Sequence, residues 1–260
     1  MFRRSARFLV VLAAGAAITS MTVVSQALPP TALTGDGGPV IPLKNAAMIT
    51  KTDVGYRYQA GQQNSRLTIT QVDGKLLYVD KGTRELRKIP KSCSRQSVST
   101  GIAALCNIPA KFDNGNKMFL EIWPRLGDDF VDGSTLTAMF RLWALGDRGD
   151  DTVLGGDGDD FVNGAQDNDK AWGGAGNDWI RTGKSSDELW GGAGDDKLVG
   201  VHGSDAIHGG DGDDRVGGGP GRDVLWGDTG QDFVACGGGR DRAHIDGTDR
   251  TNRCESLAGY

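Results

Sequence analysis

Eleven aspartates recur every nine residues through the second half of the chain: Asp151, Asp160, Asp169, Asp178, Asp187, Asp196, Asp205, Asp214, Asp223, Asp232 and Asp241. Two residues after each stands an aliphatic side chain, in order Val153, Val162, Ala171, Ile180, Leu189, Leu198, Ile207, Val216, Leu225, Val234 and Ala243. Glycines fill the positions ahead of the aspartate, most completely in Gly155-Gly156-Asp157-Gly158-Asp159-Asp160-Phe161-Val162-Asn163 and Gly191-Gly192-Ala193-Gly194-Asp195-Asp196-Lys197-Leu198-Val199. The unit reads G-G-x-G-x-D-x-U-x, and eleven copies run without an insertion from 146 to 244. Carboxylates locked in phase beside exposed glycine carbonyls offer only oxygen donors. Calcium takes six to eight such oxygens at about 2.3 to 2.6 Å. A Gly/Asp-rich linker without structure would have no reason to keep one aspartate and one aliphatic residue in fixed phase.

Glycine at positions 1, 2 and 4 permits positive φ, so six residues can turn tightly and aim their carbonyls between neighbouring turns. A short strand at positions 7 to 9 then points position 8 inward and its neighbours outward. Two repeats make one coil of eighteen residues, and turns on one edge stack about 4.8 Å apart. At that spacing adjacent position-6 carboxylates repel by about 3 kcal/mol at an effective dielectric of 20. One small aliphatic per repeat does not offset a whole column of such pairs. Cations between the turns do, so binding energy becomes folding energy and the metal-free coil is expected to be disordered. The expected ligands are the eleven aspartates with the carbonyls of Gly156, Gly158, Gly174, Gly176, Gly192, Gly194, Gly210 and Gly212. The repeats starting at 155, 173, 191, 209 and 227 share one edge and keep glycine at position 4. On the other edge Asp167 and Ser185 replace that glycine, Val201 replaces the second, and Lys184, Arg222 and Arg240 add positive charge. The first edge is therefore expected to hold about four strong sites, one per gap, and the second to be partial.

The nonapeptide resembles the hemolysin-type calcium-binding repeat, or RTX, family. That resemblance implies an all-β fold, a right-handed parallel β-roll binding several calcium ions, here preceded by an irregular β-rich region. RTX proteins often append the roll to a protease, lipase or pore-forming segment. No His-Glu-x-x-His, no Gly-x-Ser-x-Gly and no phosphate-binding glycine loop stands outside the repeats. All three histidines, His202, His208 and His244, lie inside repeats, which leaves residues 28–145 without one. The adjacent carboxylates Asp128 and Asp129 sit in a repeat-like turn and read as metal ligands rather than a glycosidase pair. The chain is expected not to be an enzyme; the alternative is a calcium-dependent extracellular hydrolase or toxin-like protein whose active site these motifs do not reveal.

The remaining segments place this coil. Residues 1–27 read as an export signal, with Arg3, Arg4 and Arg7 ahead of the apolar stretch Phe8 to Ile18 and Ser25-Gln26-Ala27 as cleavage site. Residues 28–44 form a Pro/Gly-rich linker, and no later segment is apolar enough to span a membrane. Residues 45–145 carry strand candidates at 66–70, 76–79 and 119–123, with Asp73-Gly74 as a hairpin turn. Tyr58-Gln59-Ala60-Gly61-Gln62-Gln63-Asn64 resembles the N-terminal region of secreted actinobacterial calcium-binding proteins. Gly127 to Gly133 matches one repeat's tail and the next one's start, so the solenoid is expected to begin near residue 119. Residues 245–260 form a C-terminal cap. Four cysteines in an exported chain favour disulfides; Cys93 with Cys106 and Cys236 with Cys254 are the local pairs among three connectivities. Residues 146–244 carry 21 acidic and 9 basic residues and residues 28–145 carry 10 and 15, so the two parts are electrostatically complementary. Nucleic acid is not expected as a partner. Leu154, Trp172, Trp190, His208, Trp226 and His244 form an outward column, either a platform for an extracellular or cell-wall polymer or protein or a ladder stacked on itself. Extracellular location, calcium as partner and an unassigned oligomeric state complete the reading.

Overall fold

A computed structural model describes residues 45–112 and 116–259. The export signal and the linker lie outside the described residues. Seven strands come first: β1 (Ala46–Lys51), β2 (Gly55–Gln59), β3 (Arg66–Val72), β4 (Lys75–Asp80), β5 (Glu85–Lys88), β6 (Cys93–Gln96) and β7 (Ile102–Asn107). After a single 3-10 turn the chain alternates between two sheets. The strands are β8 (Met118–Leu126), β9 (Phe130–Asp132), β10 (Phe140–Arg148), β11 (Thr152–Leu154), β12 (Phe161–Ala165), β13 (Lys170–Ala175), β14 (Trp179–Lys184) and β15 (Glu188–Ala193). They continue as β16 (Lys197–His202), β17 (Ala206–Asp211), β18 (Arg215–Gly221), β19 (Val224–Thr229), β20 (Phe233–Gly239), β21 (Arg242–Ile245), β22 (Arg250–Asn252) and β23 (Ser256–Gly259). Even-numbered strands from β8 to β22 pair in parallel in one sheet and odd-numbered ones from β9 to β23 in the other. This is an all-β parallel solenoid.

Position 8 supplies the core between the sheets. Val162, Ile180, Leu198, Val216 and Val234 lie side by side in one sheet. Val153, Ala171, Leu189, Ile207, Leu225 and Ala243 do so in the other, and all are buried. The strands are longer than positions 7 to 9, reaching positions 2 and 3 of the following repeat. The reason is that the glycine turns stack in register, so their main-chain groups pair between coils as strands do; Gly176 N–H donates to Ala193 O at 2.8 Å and Gly194 N–H to Asp211 O at 2.7 Å.

Parallel coiling extends well upstream of Gly146 and of residue 119. β2 pairs with β8 and β3 with β9, placing Leu67 beside Val131 and Val131 beside Val153. The nine-residue phase is hidden there by two insertions, 73–117 and 133–139. The longer insertion folds back as antiparallel strands that cover the first coil, β4 on β3, β7 on β4 and β6 on β7, while β1, ahead of it in the chain, pairs antiparallel with β2. Asp73 and Gly74, both at positive φ, make the β3–β4 hairpin turn. This cap buries Tyr56, Tyr58, Tyr78, Met118, Leu120, Phe140 and Leu142, an ordinary core of large side chains that the repeats lack. Main-chain pairing and the contact of the Trp143 and Phe161 rings join the cap to the repeats; among the described residues one ion pair, Arg141 with Asp159, crosses this junction. Disulfides close Cys93–Cys106 across β6 and β7 and Cys236–Cys254 over the last coil.

Candidate metal centres

Each position-6 aspartate leaves its turn pointing inward along the edge and is at most 4% exposed. One carboxylate oxygen is fixed by main chain: Asp160 N–H donates to Asp178 Oδ1 at 2.7 Å, Asp178 N–H to Asp196 Oδ1 at 2.7 Å and Asp196 N–H to Asp214 Oδ1 at 2.8 Å. The opposite edge repeats this, with Asp151 N–H on Asp169, Asp169 on Asp187, Asp187 on Asp205, Asp205 on Asp223 and Asp223 on Asp241 at 2.8 to 3.0 Å. The second oxygen is another matter. Oδ2 of Asp151, Asp169, Asp178, Asp187, Asp196, Asp205, Asp214, Asp223, Asp232 and Asp241 is buried without a hydrogen-bond partner. A buried carboxylate oxygen left unpaired is expensive unless a cation meets it.

What those oxygens face is the space where a position-1 glycine lacks a side chain. A Cβ on Gly191 would lie 2.2 Å from Asp196 Oδ2 and 2.3 Å from the carbonyl oxygen of Gly209 in the next coil. On Gly173 the same two partners, Asp178 Oδ2 and Gly191 O, stand at 2.1 and 2.5 Å, and on Gly146 Asp151 Oδ2 and Gly164 O stand at 2.4 and 2.6 Å. One carboxylate and one carbonyl oxygen therefore converge on a common point in turn after turn. Among the described residues no three histidine, cysteine, aspartate or glutamate side chains form a cluster. The donor set is one carboxylate per turn plus main-chain carbonyls, which suits calcium and not the thiolate or imidazole chemistry of zinc.

Burial raises the carboxyl pKa values along both rows, opposed by the N–H each accepts and reinforced by neighbouring aspartates. Asp178 is pushed up to about 9, Asp169 to about 8, Asp151, Asp160 and Asp214 to about 7, and Asp187, Asp196, Asp205, Asp223 and Asp232 to about 6.

The expected glycines fall into two groups. Gly174, Gly176, Gly192, Gly194, Gly210 and Gly212 have positive φ as the turn requires. Gly156 and Gly158 do not, because their turn abuts the 133–139 connection: Asp157 N–H donates to Leu136 O, and Gly156 N–H donates to Asp160 Oδ2 at 2.8 Å. That turn satisfies its own aspartate. On the second edge Asp167 (φ 74°), Ser185 (φ 81°) and Val201 (φ 90°) adopt the left-handed backbone of the glycines they replace. On both edges Oδ1 accepts the N–H of the aspartate one coil earlier.

Two side-chain ladders flank the rows. Trp172 stacks on Trp190 with centroids 4.4 Å apart and planes 2° from parallel, and His208, Trp226 and His244 continue the stack at 6.1, 4.0 and 5.1 Å. Ring faces are thus spent on one another, which is the self-stacked form of the outward column. The other sheet carries a ladder that the nine-residue reading missed, Phe119, Trp143, Phe161 and Trp179, ending with Lys197 Nζ 4.6 Å above the Trp179 ring. Sequence reading also passed over Asp249, whose Oδ1 accepts Asp232 N–H at 3.1 Å although the spacing has slipped to seventeen residues.

Among known families, the model of the RTX calcium-binding nonapeptide repeat matches four times, at residues 143–171, 172–207, 199–234 and 208–243. Neither a curated protein nor a solved structure matches the chain. Both the stacked glycine turns with inward aspartates and the family match converge on one assignment: residues 143–243 belong to the RTX calcium-binding nonapeptide repeats.

Proposed function

We propose that this is a secreted calcium-binding protein whose repeat coil orders when Ca²⁺ enters the two rows of position-6 aspartates, and that it works outside the cell as a binding or structural module without a catalytic centre. The observation that carries the reading is the buried, unpartnered Oδ2 repeated in successive turns opposite a carbonyl oxygen of the next coil. Calcium would supply the positive charge that these stacked carboxylates lack. The chain's own part is geometric: main-chain N–H groups hold Oδ1, which aims Oδ2 at the point that the position-1 glycine leaves open. Two disulfides support export. Circular dichroism of the purified chain during a calcium titration tests the proposal. The β signal of the repeats should appear with calcium and fall in excess chelator; a full β signal in chelator would overturn it. Pull-downs against cell-wall fractions with and without calcium separate a binding module, which retains a partner only with calcium, from a purely structural one.

A further inference from the structure

We infer that the cation row on the Asp151 edge includes Asp129, upstream of the matched repeats, so that one more calcium ion sits where the ion-dependent coil meets the N-terminal cap. The inference rests on the calcium reading above. Asp129 is only 2% exposed, and its main chain joins the row as a repeat aspartate does: its N–H donates to Asp151 Oδ1 at 2.9 Å, and its own Oδ1 accepts Ser65 N–H from the coil before. Twenty-two residues separate Asp129 from Asp151 instead of eighteen, because the 133–139 connection makes the coil four residues longer. Its Oδ2 is buried and has no hydrogen-bond partner.

Asp129, Asp151 and Asp169, from three successive coils, line one narrow cleft together with Lys170 and mostly apolar side chains. The charged groups acting on Asp129 are Asp151, Asp80 and Asp128, all negative.

The row then stops for a visible reason. In the first coil Ser65 stands where the aspartate would be, and its hydroxyl donates to Asp80 Oδ2 at 2.8 Å. Asp80 also accepts the Tyr58 hydroxyl at 2.5 Å, the Thr83 hydroxyl, and the N–H groups of Arg66 and Gly82 at 2.8 Å. A carboxylate with both oxygens filled by protein donors needs no ion. The opposite row is closed in the same way, by Gly156 N–H on Asp160 Oδ2 and Asp246 N–H on Asp249 Oδ2. Asp129 has no such substitute.

Counting bound calcium by native mass spectrometry on the wild-type chain, Asp129→Asn and Asp151→Asn tests this. The Asn variant keeps an oxygen for Ser65 N–H while removing the charge. Both variants should hold at least one ion fewer than wild type. If Asp151→Asn loses calcium and Asp129→Asn does not, the inference fails while the calcium reading stands; if neither loses any, both fail. Asp129→Ser, which copies the preceding coil, serves should the Asn variant not fold. Wild-type hydrogen exchange gives a readout independent of any variant: calcium should slow the amides of Ser65 to Leu67, and exchange there that ignores calcium overturns the inference.

Discussion

An aspartate that titrates above its unfolded value near 3.9 makes the metal-free coil take up protons as it forms. The sign follows from that. With folded values of about 6 to 9 across the rows, stability of the metal-free coil is fully present below about pH 4 and is lost as pH rises through that range. Calcium-stripped chain should therefore show more β structure near pH 4.5 than near pH 8, and calcium binding near neutrality should release protons. Far-UV circular dichroism checks the first, and a larger β signal at the higher pH would refute it. Position 1 is the other sensitive residue. Gly191→Ala drives a methyl to within 2.3 Å of Asp196 Oδ2 and Gly209 O, so it should cost about 1 to 3 kcal/mol and weaken calcium binding. Gly238→Ala, with nothing within 4 Å of the added methyl, should stay within about 0.5 kcal/mol in the same thermal melts.

At the level of the turn and strand, the two edges share one backbone but pay differently for it. Ser185, exposed and held at φ 81°, occupies a left-handed conformation that costs a non-glycine residue about 1 to 2 kcal/mol. Ser185→Gly should raise stability by about 1 kcal/mol, partly offset by the freer unfolded chain, and lower the calcium concentration at half-folding. An unchanged or lower melting temperature would show that the turn is not strained. The same turns explain how far the sequence could be read. Position 8 in the core, position 6 along the edges and the Asp73-Gly74 hairpin were legible because each is fixed by a local rule of side-chain alternation or positive φ. The coil at β2–β3 was not, because pairing in space survives insertions that destroy spacing along the chain. The coil at β8–β9, with Asp129 as a metal ligand, was legible from one fragment of the motif, Gly127 to Gly133. The relaxed geometry of Gly156 and Gly158 was invisible, since it depends on Leu136 from a neighbouring loop.

Taken whole, the molecule joins a cap with a conventional core to a coil that has little core and many carboxylates. At the far end Cys236–Cys254 ties the tail across the last coil. Cross-linking residues eighteen apart removes enough freedom from the unfolded chain to be worth about 3 kcal/mol. Cys254→Ser should lower the thermal midpoint in calcium and raise hydrogen exchange first in β20 to β22; loss spread evenly over all coils would argue that the bridge does not act as a local clamp. The indole ladder carries a consequence of another kind. Trp172 and Trp190 lie close enough to share electronic excitation, and they do so only while successive coils are in register. Near-ultraviolet spectra of this protein should thus contain a built-in optical gauge of pitch, silent for isolated strands and lit by their alignment.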